Sequence, residues 1–77
     1  MKCFMTYVDV MTGPEYVRFY SVKRAIQAFD ATRVALWRYG QRVSATIHIA
    51  DDESEIAEYP DYVLETGPLG GLRVQRT

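Results

Sequence analysis

Ser21 to Gly40, SVKRAIQAFDATRVALWRYG, is the only stretch of this 77-residue chain with a helical pattern, and it limits the fold more than any other feature. Val22, Ala25, Ile26, Phe29, Leu36 and Tyr39 fall on one stripe at 3.6 residues per turn. Lys23, Arg24, Gln27, Asp30 and Arg38 fall mostly off it. The Ser21 hydroxyl is placed to accept from a first-turn N–H. Gly40 is placed to end the helix, because a left-handed residue there strains glycine little. Arg38 suits the negative pole of the helix dipole. Asp30-Ala31-Thr32 could open a second short helix. No glycine or proline interrupts the pattern, so one continuous helix is expected. Trp37 lies beside the stripe, either closing the edge of the core or standing partly exposed as a binding anchor.

Strand-like segments flank this helix. Lys2 to Val10 alternates with period two, which sends Phe4, Val8 and Val10 one way and Cys3, Met5, Tyr7 and Asp9 the other. Met11 to Pro14, with its Thr12-Gly13-Pro14 turn chemistry, closes a hairpin onto Glu15–Tyr20. There Val17 and Phe19 share a face, and Tyr16, Arg18 and Tyr20 share the other. After the helix, Arg42 to Ala50 alternates most cleanly, with Val43, Ala45, Ile47 and Ile49 inward and Ser44, Thr46, His48 and Ala50 outward. An acidic loop spans 51–58. Tyr59-Pro60 marks the approach to a fourth strand continuing through Tyr62–Thr66. Gly67-Pro68-Leu69-Gly70-Gly71 reads as a turn, and residues 72–77 as a short fifth strand or a frayed tail.

The expected fold is therefore a single α+β domain over 1–77, ordered ββαββ. A mainly antiparallel sheet of four to five strands carries one helix on one face. Phe4, Val8, Val17, Phe19, Ile26, Phe29, Leu36, Val43, Ile47 and Ile49 are the expected core. With no second helix, the other sheet face meets water or a partner. A free edge strand or bare face also makes a homodimer an open expectation.

Charge is laid out unevenly although the net is −1. Residues 1–50 carry a net +4, residues 51–66 a net −7 and residues 67–77 a net +2. The acids of the middle block are Asp51, Asp52, Glu53, Glu55, Glu58, Asp61 and Glu65, with no lysine or arginine among them. One cysteine, Cys3, excludes an internal disulfide. That cysteine usage and the lack of a signal-peptide pattern lead us to expect a cytoplasmic, reducing compartment. No apolar run approaches the roughly 20 residues that a bilayer span needs, so no membrane role is expected.

Three constellations bear on function. The outward face is expected to carry Tyr7, Tyr16, Arg18, Tyr20, Thr46 and His48. Tyrosine and arginine dominate protein-recognition hot spots. Rings and cations also suit single-stranded nucleic acid. RNA-recognition motifs use such a sheet, but this chain lacks their second helix and their Lys/Arg-Gly-aromatic signature. The acidic balance argues against a phosphate-binding footprint, so direct nucleic-acid binding is disfavoured. The second constellation, Asp51-Asp52-Glu53-Ser54-Glu55, lacks the alternating oxygens and distal glutamate of a calcium loop. It suits a basic groove on a partner. Third, His48 has no second histidine for a metal site, and no orienting group marks a Cys3/His48 catalytic pair. No enzyme activity, metal or cofactor is expected.

In size, single α+β domain, missing catalytic set and dense acidic patch, the chain resembles small phage and mobile-element proteins that block bacterial defence, including anti-CRISPR proteins. The resemblance implies stoichiometric inhibition of a nucleic-acid-handling defence complex within a bacterial host. Asp51, Asp52, Glu53, Glu55 and Glu58 would then stand where nucleic acid otherwise binds. The partner-binding set expected from these features is those five acids with Tyr7, Tyr16, Arg18 and Tyr20. The alternative is a single-stranded nucleic-acid-binding domain using the open sheet face.

Overall fold

The computed structural model describes residues 2–8 and 15–77. Val10, Asp9 and the expected Met11–Pro14 turn lie outside the described residues. The elements are β1 (Cys3–Tyr7), β2 (Val17–Phe19), α1 (Val22–Trp37), β3 (Ser44–Ile49), a 3-10 turn (Glu53–Glu55), β4 (Tyr62–Thr66) and β5 (Leu72–Arg76). All the strand pairs are antiparallel, in the order β2-β1-β3-β4-β5. This is the α+β arrangement read from the sequence, with one helix across one face of a five-stranded sheet.

Helix α1 is continuous through Asp30. That carboxylate is held by the Arg33 guanidinium at 2.7 Å, one turn on, and caps nothing. Ser21 caps the start, its hydroxyl accepting from the Arg24 N–H at 3.2 Å. At the other end the Gln41 N–H reaches back to the Leu36 carbonyl and the Gly40 N–H to that of Trp37. Gly40 has φ +70°, so these bonds close the helix in a Schellman motif. Tyr39, expected on the buried stripe, is 81% exposed because the helix has already ended.

The core holds Cys3, Met5, Ala45, Ile47 and Leu64 beneath Ala25 and Phe29, with Tyr7, Phe19, Ile26, Val43 and Ile49 packed around them. Burying each large side chain fully contributes about 1.5–3 kcal/mol. Strand β1 reverses the expected facing. Cys3, Met5 and Tyr7 stand opposite Ile49, Ile47 and Ala45, so they share the helix side with them. Phe4 stands opposite His48 and takes the other side, and Val8 is exposed. The cause is register: a one-residue change of parity moves every side chain of a strand to the opposite face. Val17 keeps its expected side but lies half-exposed on the short edge strand β2, outside the core.

Strand β5 is no frayed tail. It pairs with β4 over its full length, from Tyr62 opposite Arg76 to Thr66 opposite Leu72. The β4–β5 turn is closed by Gly67 N–H to the Gly71 carbonyl at 2.7 Å and Gly70 N–H to that of Gly67. Trp37 packs on the β4–β5 turn, outside the core, and stays 38% exposed. Its indole lies on Gly70, where an added Cβ would fall 2.3 Å from Cε2. The Arg33 guanidinium donates to the Gly70 carbonyl and ties the helix to the same turn.

Candidate interaction surface

The face away from the helix is organised in rows by strand register. Arg18, Phe4 and His48 form the first row, and Thr6, Thr46, Val63 and Gln75 the next. The third places Ser44 beside Glu65 and Arg73, whose guanidinium holds the Glu65 carboxylate at 3.3 Å. Arg18 donates to the Tyr20 hydroxyl at 3.3 Å, and its guanidinium lies 5.4 Å from the centre of that ring. Tyr20 is 61% exposed, so this cation–aromatic pair is presented to solvent.

Tyr7 does not belong to this surface. Its ring stacks on Phe29 under the helix, with centroids 6.1 Å apart, and its hydroxyl donates to Thr32 Oγ1 at 3.1 Å. Phe4 takes a place on this face instead. It is only 6% exposed, as is His48, whose ring meets Tyr16 edge-on at 5.9 Å. His48 Nδ1 has no hydrogen-bond partner among the described residues. The imidazole packs as an aromatic ring, with Phe4 opposite it across the β1–β3 pair and Tyr16 against its edge.

Cys3 and His48 occupy opposite faces of the sheet, so the Cys/His pair has no geometry in which to form. Burial also pushes the Cys3 thiol above its ordinary range, which keeps it protonated and poorly nucleophilic. Among the described residues no group of three His, Cys, Asp or Glu side chains could hold a metal ion.

The acidic segment has a defined shape. The Glu55 N–H bonds to the Asp52 carbonyl at 2.9 Å, and the Ser54 hydroxyl donates to Asp52 Oδ2 at 2.9 Å. Glu53–Glu55 thereby forms the 3-10 turn, and Ile56 after it is half-buried. Asp51, Asp52, Glu53, Glu55 and Glu58 are all exposed. The ion pairs among the described residues are Arg33–Asp30 and Arg73–Glu65, so none of these five acids is neutralised by one. Asp61 behaves differently. Its Oδ2 accepts from the Ile49 N–H at 2.7 Å, past the end of the β3–β4 ladder. It is a structural residue that the sequence pattern did not mark.

Register also brings regions together. Ile49 stands opposite Cys3, and Cys3 opposite Phe19. Asp51 therefore begins the acidic segment at the same end of the sheet as Arg18 and Tyr20. At the far end, between the second half of α1 and the sheet, lies a cleft of about 590 Å³. Its Tyr7, Thr32 and Thr66 hydroxyls are already committed: Tyr7 to Thr32, Thr32 to the Ala28 carbonyl, and Thr66 to the Val43 backbone.

No protein-family model, curated protein or solved structure matches the chain. No helix of the described residues is long and apolar enough to cross a membrane.

Proposed function

We propose that this chain is a non-enzymatic protein-binding module, a stoichiometric inhibitor of a bacterial defence complex of the CRISPR–Cas type. The observation that carries the reading is the acidic segment. Five exposed carboxylates without ion-pair partners among the described residues lie within eight residues, at the sheet end that also presents Arg18 and Tyr20. Carboxylates so placed complement the basic channel in which a nucleic-acid-handling complex holds its substrate. Charge complementarity of that kind speeds encounter and sets orientation. Tyr20 and Arg18 supply an aromatic and cationic anchor beside it, of the kind that dominates interface energetics. The inhibitor would act in the cytoplasm of a bacterial host, by occupying a surface and not by turning over a substrate.

The test is a titration of this protein into purified CRISPR–Cas effector complexes of several types, with target binding and cleavage as readouts. At least one type should lose activity near equimolar inhibitor. The triple variant Asp51→Lys, Asp52→Lys, Glu53→Lys should weaken that inhibition by at least about tenfold, the scale of a few charge-pair losses, and flatten its dependence on salt. Full activity of every complex at excess protein defeats the inhibitor reading. Salt-independent affinity, unchanged in the triple variant, removes the acidic segment from it.

The alternative, a single-stranded nucleic-acid binder, is left with Tyr16, Arg18 and Tyr20 once Tyr7 is placed beneath the helix. The five acids beside those residues would repel a phosphate backbone.

A further inference from the structure

Strand β5 is an edge strand, and no other segment among the described residues pairs with its free side. Gly67 donates to the Gly71 carbonyl, in register with the Glu65–Arg73 and Val63–Gln75 pairs. Thr66 donates to the Val43 carbonyl on the β3 side, which fixes the alternation on β4. In an antiparallel ladder a strand's N–H and C=O groups point alternately to either neighbour. Gly71, Arg73 and Gln75 therefore spend their backbone groups on β4, and Leu72, Val74 and Arg76 point theirs outward. The side chains of those same three residues lie on the helix side, in register with Thr66, Leu64 and Tyr62. Helix α1 packs mainly on β1 to β4, so Leu72 and Val74 remain 39% and 41% exposed there, flanked by half-exposed Trp37 over the β4–β5 turn.

We propose that this edge pairs with β5 of a second copy of the chain, across a two-fold axis at Val74. The occupant must be an extended strand, because what the edge offers is a row of unpaired main-chain donors and acceptors. It must also be apolar at alternate positions toward the helix and polar at the others. Leu72-Arg73-Val74-Gln75 has that pattern itself, and Arg76, the one polar residue on the helix side of the strand, lies against the Tyr62 ring. Antiparallel pairing about Val74 sets Val74 against Val74 and Leu72 against Arg76, each pair exchanging both main-chain bonds. Arg73 then faces Gln75 of the other copy, so no two cations stand directly opposed. Within one copy Arg73 is already held by Glu65, and the Arg76 guanidinium lies 5.9 Å from the Tyr62 ring centre. The product is a continuous ten-stranded sheet with both helices on one side. Trp37, Leu72 and Val74 of each copy line the valley between the helices. This pairing does not depend on the inhibitor reading; it would present two acidic segments on one particle.

Mass by sedimentation or light scattering, from roughly 5 to 500 μM, a span that brackets weak protein contacts, is the direct test. The mass should double across the range. Val74→Lys puts two ammonium groups together at the axis. Val74→Pro removes an outward N–H while sparing every bond to β4. Each should stay monomeric to at least tenfold higher concentration, and Asp52→Lys should dimerise like wild type. A monomer throughout, or a dimer unaffected by either Val74 variant, overturns the proposal. Amide exchange of the wild type gives a check that needs no variant. Exchange at Leu72, Val74 and Arg76 should slow as concentration rises, while Arg73 and Gln75 are protected at every concentration. Equal exchange of all three at both ends of the range overturns the pairing. So does protection that arises only on adding an extended Glu–Val alternating peptide, which would assign the edge to another chain.

Discussion

The two faces of this sheet use the same three central strands for different ends. Under the helix, Met5, Ile47 and Leu64 meet Phe29 and Ala25 with no exposed surface to speak of, and Tyr7 closes over them through Thr32. On the other side Phe4 and His48 are the buried pair among the described residues, and around them stand Tyr16, Arg18, Tyr20, Thr46 and the Glu65–Arg73 pair. One face is specified by volume, where each atom has a close neighbour and any change is felt. The other is specified by what it presents, and most of its residues are replaceable without harm to the fold. The difference predicts a steep contrast in how substitutions behave.

The largest effect is expected at Phe29, which lies between the helix and Met5, Ile47 and Leu64. Phe29→Ala should destabilise the protein by about 3–5 kcal/mol, because the cavity cannot collapse between a helix and a sheet. In a domain this small that is enough to unfold much of the population at ambient temperature. Urea denaturation followed by circular dichroism measures it. A loss below about 1 kcal/mol would break the contrast, since that is the scale of surface changes.

Two glycines with positive φ sharpen it next. Gly70 has φ +87° and Trp37 against it, whereas Gly40 has φ +70° and nothing within 4 Å. Gly40→Ala should cost about 1 kcal/mol, the left-handed backbone strain alone. Gly70→Ala must also displace the indole and should cost about 2–3 kcal/mol, adding the overpacking penalty. Equal losses at both sites would mean that Trp37 does not press on Gly70. Cys3 adds a pH signature. Because burial raises its folded-state pKa, the folded protein holds its proton where the unfolded chain has released it. The associated stability is complete below the ordinary thiol range and is lost as pH rises through the folded value. Cys3→Ala should flatten that alkaline decline, and native Cys3 should resist alkylation until denaturant is added.

The contrast between faces was only partly legible in the sequence. Strand β3 could be read because Ala45, Ile47 and Ile49 alternate with Ser44, Thr46 and His48, so only one parity buries an apolar row. In β1 either parity does, since Cys3, Met5 and Tyr7 are as apolar as Phe4 and Val8. The choice is made by pairing with β3, from Tyr7 opposite Ala45 to Cys3 opposite Ile49, far apart in the chain. The same holds for Tyr7 as a surface residue: nothing local says that its hydroxyl finds Thr32. The parity of Tyr16, Arg18 and Tyr20 and the exposure of the acids at 51–58 could be read, because β2 and the acidic run are locally unambiguous. Alternation assigns His48 a face but cannot say that Tyr16 packs against it. The tie from Asp61 to the Ile49 N–H, and the outward row of Leu72, Val74 and Arg76, both follow from strand order, which no local pattern encodes.

The smallest effect separates the faces most directly, because it compares one atom on each. Tyr7→Phe removes a half-buried hydroxyl that donates to Thr32 Oγ1. Thr32 retains its own bond to the Ala28 carbonyl, so no donor is stranded and the loss should be about 0.5–1.5 kcal/mol. Tyr20→Phe removes a hydroxyl that accepts from Arg18 in solvent, where water replaces it. The change in stability should fall within about 0.5 kcal/mol. The order inverts for the proposed partner capture: Tyr7→Phe should leave it unchanged, and Tyr20→Ala should weaken it while Tyr20→Phe largely preserves it through the ring. Parallel melting and inhibition assays on the three variants decide the matter. If Tyr7→Phe weakened capture as much as Tyr20→Ala, with less change in melting temperature, the hydroxyl of Tyr7 would have to reach the partner. The placement of β1 with Cys3, Met5 and Tyr7 toward the helix would then be wrong.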